Sequence, residues 1–281
     1  MTVPNIGHIN FLNCLPLTYS YDQDGFAQGL NIHSAVPAEL NKAIIQGQLD
    51  ISPVSSIIYA RNSDNLLILP DVSIMADSDV QSILLISKKP IEELTRKRII
   101  LTAKSATSHC LLKIIMAKGY AASPVYEVRP VPVENPIPAD ASASLLIGDD
   151  ALNLYHHRKS GFYYYDIGKE WKKLTGLRMV FAVWVVHKEF ARERPELVQQ
   201  VYERITQGFR NGYAKKQQII ESVLDSKPFT RQQLDEYFEV IQWQFDNKEQ
   251  EALRLFYSLA YEMDLIEQVP EIKIAEVHRL C

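Results

Sequence analysis

Four short polar runs hold the groups that could do chemistry in this chain. The first is Gly7-His8-Ile9-Asn10-Phe11-Leu12-Asn13-Cys14-Leu15-Pro16-Leu17, whose polar members are His8, Asn10 and Asn13. The others are Ser52-Pro53-Val54-Ser55-Ser56, Ser105-Ala106-Thr107-Ser108 and Gly148-Asp149-Asp150. Each falls where a predicted strand gives way to a predicted helix. In open α/β sheets ligands bind at such strand ends. A helix N-terminus adds unpaired N–H groups and a partial positive charge, and small hydroxyls beside it donate without blocking access. Two such places, one in each half of the α/β region, suit a small ligand with two carboxylates. The plainer reading stands beside this one, because Ser, Thr, Asn and Asp are the ordinary helix caps. Recurrence of the runs on one predicted edge favours a site.

The same pair of readings applies residue by residue. Asn13 either caps the first helix or meets the ligand. His8 is either a buried structural imidazole or a contact. Asp149 and Asp150 are adjacent, so one faces the cleft and the other caps a helix. The expected ligand contacts are His8, Asn10, Ser55, Ser56, Ser105, Thr107, Ser108 and Asp149. Cys14 lies in the first run without an evident His partner and is not read as a nucleophile. His156-His157 lacks metal-ligand spacing and reads as exposed; Tyr163-Tyr164-Tyr165 reads as strand packing. There is no G-x-G-x-x-G, Walker loop, G-x-S-x-G, H-E-x-x-H or C-x-x-C pattern. The expectation is an activity that uses no nucleotide, flavin, obligate metal or other cofactor.

The elements that must position these runs alternate. Residues 3–7, 30–35, 50–54 and 66–70 read as strands, with helices at 39–46 and from about 55 to 61. A second series follows, with strands at 82–87, 98–102, 144–147 and 180–186 and a helix from 105 to a stop at Gly119. Such alternation predicts mostly parallel sheets. The tail changes character and shows three long helical patterns. Pro195 opens the first, Thr230 caps the second with Leu234, Phe238, Ile241 and Phe245 on its apolar face, and the third runs near 249–263. The pattern predicts two α/β lobes with a ligand cleft between them. Residues 1–81 with 188–281 form the first lobe and 82–187 the inserted second, with crossovers near 79–82 and 184–188.

Composition sets the outer bounds. The 281 residues are 47% hydrophobic, with a formal net charge of −4. That charge disfavours nucleic acid, which needs a basic face. Three cysteines, Cys14, Cys110 and Cys281, are too scattered for a disulfide framework or a zinc site. The start of the chain has no signal-peptide pattern and no run is long enough to span a membrane. A cytoplasmic location is expected, with oligomeric state left open.

The runs also resemble the chorismate dehydratase family of the futalosine route to menaquinone. The likeness is carried by the run from Gly7, by Asp-Ile-Ser-Pro-Val-Ser-Ser-Ile from Asp50 and by Asp-Val-Gln-Ser from Asp79. Further on it is carried by Leu-Leu-Ile-Gly-Asp-Asp-Ala-Leu from Leu145 and Asp-Ile-Gly-Lys-Glu-Trp-Lys-Lys-Leu-Thr-Gly-Leu from Asp166. It spans about residues 7–184. The resemblance implies a two-lobed fold like type II periplasmic binding proteins. It also implies loss of water from chorismate to give 3-[(1-carboxyvinyl)oxy]benzoate. The family's catalytic polar residues fall on Asn13 and Ser82, and the hydroxyls at Ser55, Ser56 and 105–108 become substrate contacts. Ala106 departs from the family, which can carry a basic residue there, and Arg178 stands where Pro is common.

The implied elimination removes a proton from the ring carbon bearing the enolpyruvyl ether and hydroxide from its neighbour. The protein must orient the ring, stabilise the carboxylates and help the hydroxyl leave. His8, His109, Asp149 and a carboxylate of the substrate all remain open as the base. Closure of the lobes is expected to exclude water. Two other readings stay open: a cytoplasmic small-carboxylate sensor of the same fold, and the sister enzyme that makes 1,4-dihydroxy-6-naphthoate. The latter's first loop begins Ser-Pro-Cys-Pro-Asn-Asp, unlike the Phe-Leu-Asn-Cys-Leu-Pro found here.

Overall fold

Alternation of short β-branched runs with amphipathic helices builds two five-stranded sheets in the computed structural model, which describes residues 3–279. Met1, Thr2, Leu280 and Cys281 lie outside the described residues, so the expectations resting on the extreme N-terminus and on Cys281 fall there. The first series gives β1 (Asn5–Ile9), α1 (Leu15–Gln23), β2 (Asn31–Ala35), α2 (Pro37–Ile45), β3 (Ile51–Ser55), α3 (Ser56–Asn62) and β4 (Leu66–Ala76). The second begins with β5 (Ile83–Ser87), β6 (Arg98–Leu101), α4 (Thr107–Ile114) and β7 (Val125–Val128). It continues with β8 (Ala143–Ile147), α5 (Gly148–His156), β9 (Tyr163–Asp166) and α6 (Ile167–Thr175). Then come β10 (Met179–His187) and the helical tail: α7 (Lys188–Glu193), α8 (Pro195–Ala214), α9 (Lys216–Val223), α10 (Arg231–Val240) and α11 (Asn247–Glu262).

The first sheet runs β2-β1-β3-β10-β4 and the second β7-β6-β8-β5-β9. Both are mixed rather than mostly parallel. β10 is antiparallel to β3 and β4, and β5 is antiparallel to β8 and β9. The reason is the crossing itself, because a strand that carries the chain between sheets enters against the direction of its neighbours. The sequence pattern assigns β10 to the second set, but it sits within the first sheet, between β3 and β4. The return crossover is therefore at residues 176–178, not near 184–188. Arg178 there pairs with Glu249 of α11 at 2.5 Å, and Glu249 is wholly buried.

The tail has five helices among the described residues, against the three long patterns of the sequence. The second pattern breaks at Val240: Ile241 turns extended, and Gln242 exchanges backbone hydrogen bonds with Met75 of β4 at 2.9 Å each way. Those strand-like bonds outweigh the helical period of Ile241 and Phe245. Thr230 does cap α10, in a reciprocal capping box with Gln233. The tail is held by aromatic packing, with Trp184 of β10 edge-on to Phe209 and Phe209 stacked on Trp243, both at 5.5 Å between centroids. Burial of each such ring stabilises by roughly 1.5–3 kcal/mol. α11 packs on β10, α3 and α4, so the tail touches helices of both sheets.

Candidate functional site

The N-terminal ends of several helices converge where the two sheets meet, around a cavity of about 60 Å³. Its walls include Asn13 ahead of α1, Pro37 at the first position of α2 and Ser55 at the start of α3. Ser105 ahead of α4, Gly148 at the first position of α5 and the crossover residues Val80 and Ser82 complete the polar side. The remaining wall is apolar: Ile9, Phe11, Ile74, Ile83, Ile147, Phe181, Ala182 and Ile241. Among the described residues no side-chain cation lines it. The helix N–H groups at its rim are a source of positive potential that needs no side-chain cation. Two nearby ion pairs, Lys227–Asp149 at 2.7 Å and Lys104–Asp150 at 2.6 Å, keep their lysines outside the lining.

Two backbone features shape the cavity. Gly148 has φ +69°, and a Cβ there would lie 2.9 Å from the Phe11 ring, so glycine lets α5 start against that ring. The crossover makes a γ-turn: Ser82 N–H donates to Val80 C=O at 2.6 Å across Gln81, whose φ is +59°. A buried non-glycine residue in that conformation stores strain and persists only where its surroundings impose it. Asp166 imposes it. Its carboxylate accepts N–H bonds from Val80 and Gln81 as well as from Gly168 and Lys169 at the start of α6. Burial nonetheless outweighs those bonds and pushes the Asp166 carboxyl up to about 6.

The residues expected to act divide into three groups. Asn13, Ser55, Ser82 and Ser105 meet at the cavity. Asn13 Oδ1 is buried with no partner among the described residues. Ser55 exchanges two bonds with Asn41, accepting at its hydroxyl at 3.1 Å and donating its N–H at 2.9 Å. Ser82 Oγ lies 3.2 Å from Val80 C=O and accepts from the Tyr237 hydroxyl at 3.1 Å.

A second group joins the two halves around the cavity without lining it. Ser56 Oγ donates to Val180 C=O at 2.9 Å and meets Thr107 Oγ1 at 3.2 Å, while Thr107 accepts the Ile57 N–H. Asp149 accepts the Leu12 N–H at 3.0 Å with one oxygen and holds Lys227 with the other. Ser108 is fully buried beside this seam, its hydroxyl unpartnered among the described residues.

His8 and Asn10 form the third group, which the structure keeps away. Asn10 is exposed. Ile9 faces the cavity, so strand alternation turns His8 to the other side of β1. There Thr18 donates its proton to Cys14 C=O, and His8 must donate Nε2–H to Thr18 Oγ1 at 2.7 Å. Its ring packs edge-on to Tyr21 at 5.2 Å, and burial pulls its pKa down to about 4. His109 donates Nε2–H to Thr102 C=O at 2.6 Å and is not among the residues lining the cavity. Cys14 is buried, and that burial pushes its thiol up, away from the reactive thiolate. Among the described residues no three His, Cys, Asp or Glu side chains gather as a metal would require.

Sequence reasoning missed Phe181, Ile241 and Tyr237. Phe181 lies in the Val-Phe-Ala-Val-Trp run that closes the family resemblance, which does not mark it as a contact; Ile241 and Tyr237 carry no motif, and each reaches the site through a long-range contact.

Comparison with known proteins is consistent with this geometry. A family described as menaquinone biosynthesis matches residues 4–262. A curated relative from Thermus thermophilus, named chorismate dehydratase, is 31% identical over 231 residues, covering 77% of this chain and 80% of that one. Among solved structures, the protein AF1704 from Archaeoglobus fulgidus aligns with a TM-score of 0.74 at 17% identity, over 94% of this chain and 98% of that chain. The alkanesulfonate-binding protein of Xanthomonas axonopodis aligns with a TM-score of 0.68 at 15% identity, over 99% and 98%. The fold is therefore that of the periplasmic binding proteins.

Proposed function

We propose that this chain, which belongs to the menaquinone-biosynthesis family, is a chorismate dehydratase acting in the futalosine route and in the cytoplasm. The observation that carries the reading is the composition of the cavity. It is an apolar slot for a ring, rimmed by helix N-termini for carboxylates, with an unsatisfied buried amide oxygen at Asn13. The named relative supports the substrate.

The reaction removes a proton from one ring carbon and hydroxide from the next, leaving an aromatic ring. It is redox-neutral, so this reading calls for no electron carrier. Phe11, Phe181 and Ile241 clamp the ring. The helix ends hold the two carboxylates, and Ser55 and Ser105 add hydroxyls there. Asn13 binds the ring hydroxyl or the proton being lost through its free amide oxygen, and Ser82 donates to the departing hydroxyl. Of the protein bases considered, His8 and His109 do not line the cavity, and Asp149 is bonded to Leu12 and Lys227. That leaves a carboxylate of the substrate as the group that takes the proton.

A cavity of about 60 Å³ has the volume of roughly two waters, far below an ordinary ligand pocket of about 300 Å³ or more. The lobes must part to admit chorismate and re-close around it less tightly than they stand here. The Asp149–Leu12, Ser56–Thr107 and Ile57–Thr107 bonds are among those that open.

The test is incubation of the purified protein with chorismate, without added metal or cofactor, followed by mass. A product lighter by one water supports the reading. Chorismate recovered unchanged, bound or not, overturns it.

A further inference from the structure

Ser82 is the point where the strained crossover meets the helical tail. Its hydroxyl has two neighbours among the described residues: Val80 C=O at 3.2 Å and the Tyr237 hydroxyl, which donates to it at 3.1 Å. Tyr237 belongs to α10, far away in sequence, and its ring is almost wholly buried at 2% exposure. It does not line the cavity, whereas Ser82 does. The geometry between them is fixed at both ends. Asp166 clamps the N–H groups of Val80 and Gln81, the first two residues of the γ-turn. On the tail side, Tyr213 donates to Ile241 C=O at 3.0 Å, and Gln242 is paired to Met75 of β4. β4 itself leads into the crossover. Crossover and helix are thus two branches of one hydrogen-bonded frame, and they meet again at a single hydroxyl pair.

A serine hydroxyl rotates freely, and its proton goes where the best acceptor lies. Tyr237 removes that freedom. A phenol that donates to Ser82 Oγ occupies one of its lone pairs, so the serine proton must point elsewhere. Among the described residues, Val80 C=O, at a long 3.2 Å, is the one acceptor that competes with a group in the cavity. Burial pushes the Tyr237 phenol well up, so it keeps its proton around neutral pH. We propose that Tyr237 is a positioning residue for the elimination: it aims the Ser82 proton at the departing hydroxyl. The proposal rests on the dehydratase reading and extends it to the tail, where no motif points.

Tyr237→Phe keeps the ring and deletes the hydroxyl. The expected result is a fall in kcat of about five- to tenfold with KM within twofold. Adding Tyr237→Phe to Ser82→Ala should then change kcat by less than about twofold, because the hydroxyl it aims is gone. A purely structural tyrosine would lower the melting temperature and multiply its effect in both backgrounds. Unchanged kcat in Tyr237→Phe, or independent effects in the double variant, overturns the proposal. Should Tyr237→Phe be destabilised, the comparison moves to a temperature at which it stays folded and adds Ser82→Thr, which restores the hydroxyl that Ser82→Ala lacks. Recovery of kcat by Thr only when Tyr237 is present supports the proposal, and equal recovery in the Tyr237→Phe background refutes it. Failure of the unsubstituted protein to dehydrate chorismate is a separate outcome, and it removes the proposal together with the reading beneath it.

Discussion

The Asn13 loop and the Ser82 crossover wall the same cavity and are built in opposite ways. Around Ser82 the backbone donors are spent: Asp166 takes the N–H groups of Val80 and Gln81, Val80 C=O takes that of Ser82, and Gly148 N–H donates to Ser82 C=O at 2.8 Å. Asn13 has a buried amide oxygen with no partner among the described residues, and its loop is held to the second sheet by a carboxylate, that of Asp149. A buried unsatisfied polar atom costs stability, and a strained γ-turn does too. The difference teaches that the chain spends stability on both walls for different ends. On the proposed reading, the crossover is rigid so as to aim a proton, and the Asn13 loop keeps an open group for the ligand to complete.

The largest effect expected from breaking this contrast is at Asn13. Asn13→Ala should lower kcat/KM by roughly 10- to 100-fold, the loss expected when one buried hydrogen bond to the reacting substrate is removed. Its melting temperature should stay the same or rise, since the substitution removes an orphaned acceptor. Steady-state kinetics and thermal unfolding of one preparation give both numbers. A variant that is destabilised but still turns over would make Asn13 a structural cap and abolish the contrast.

The rigid wall also has a pH signature, partly masked by His8. Asp166 has a folded pKa of about 6, raised from 3.8 by burial. The native state then binds more protons than the unfolded chain between those values, so the Asp166 contribution is full below about pH 3.8 and is lost as pH rises through 6. His8 runs the other way: its folded pKa of about 4 lies below 6.5, so its contribution is present above pH 6.5 and lost as pH falls through 4. Each is worth about 3 kcal/mol, at roughly 1.36 kcal/mol per pKa unit, and the two nearly cancel between about pH 4 and 6.5. Asp166→Asn should therefore uncover a loss of stability toward acid that the unsubstituted protein hides. His8→Gln should uncover a loss toward neutral pH. Urea midpoints from about pH 4 to 7 test both, and parallel profiles for all three proteins would sink the assignment.

How much of this is readable in the chain depends on distance in sequence. Asn13, Ser55, Ser105 and Gly148 are legible because strand-to-helix junctions declare themselves through caps and glycines within a few residues. His8 is misplaced for a local reason: with Ile9 on the cavity side, the period of two along β1 puts His8 on the other face. Tyr237 and Ile241 are not legible, and Phe181 is marked only as part of the Val-Phe-Ala-Val-Trp run of the resemblance. An apolar or aromatic residue in a helix stripe or a buried strand looks the same whether it faces core or ligand. Ile241 is even hidden by a good helical period, which loses to the backbone bonds between Gln242 and Met75. The place of β10 escapes sequence reasoning because an almost wholly buried strand carries no mark of which sheet it joins.

A smaller effect is expected at Asp149, the carboxylate tying the Asn13 loop to α5. Asp149→Ala removes a charge-assisted bond to the Leu12 N–H, worth about 1.5–3 kcal/mol. It should raise KM for chorismate roughly tenfold and reduce kcat less, because the closed form becomes rarer while the groups inside it are unchanged. Small-angle scattering should show a larger radius for this variant than for the unsubstituted protein at the same chorismate concentration. If kcat falls with KM unchanged, Asp149 takes part in the chemistry and is no mere tie.

The smallest effect separates the two bonds that Asp149 makes. Lys227 comes from the α9–α10 connection and is 38% exposed, against 24% for Asp149. An ion pair in that setting is worth about 0.2–1 kcal/mol and is screened by salt. The Leu12 N–H bond is shielded and neutral on one side, so salt acts on it little. Lys227→Met should therefore raise KM no more than about threefold at low salt and hardly at all at high salt. Asp149→Ala should keep most of its effect in both. Titration of chorismate kinetics against sodium chloride for the two variants distinguishes these cases. Equal effects at every salt concentration would mean that the tail, through Lys227, holds the Asn13 wall as firmly as the crossover holds Ser82, and the contrast between the two walls would fail.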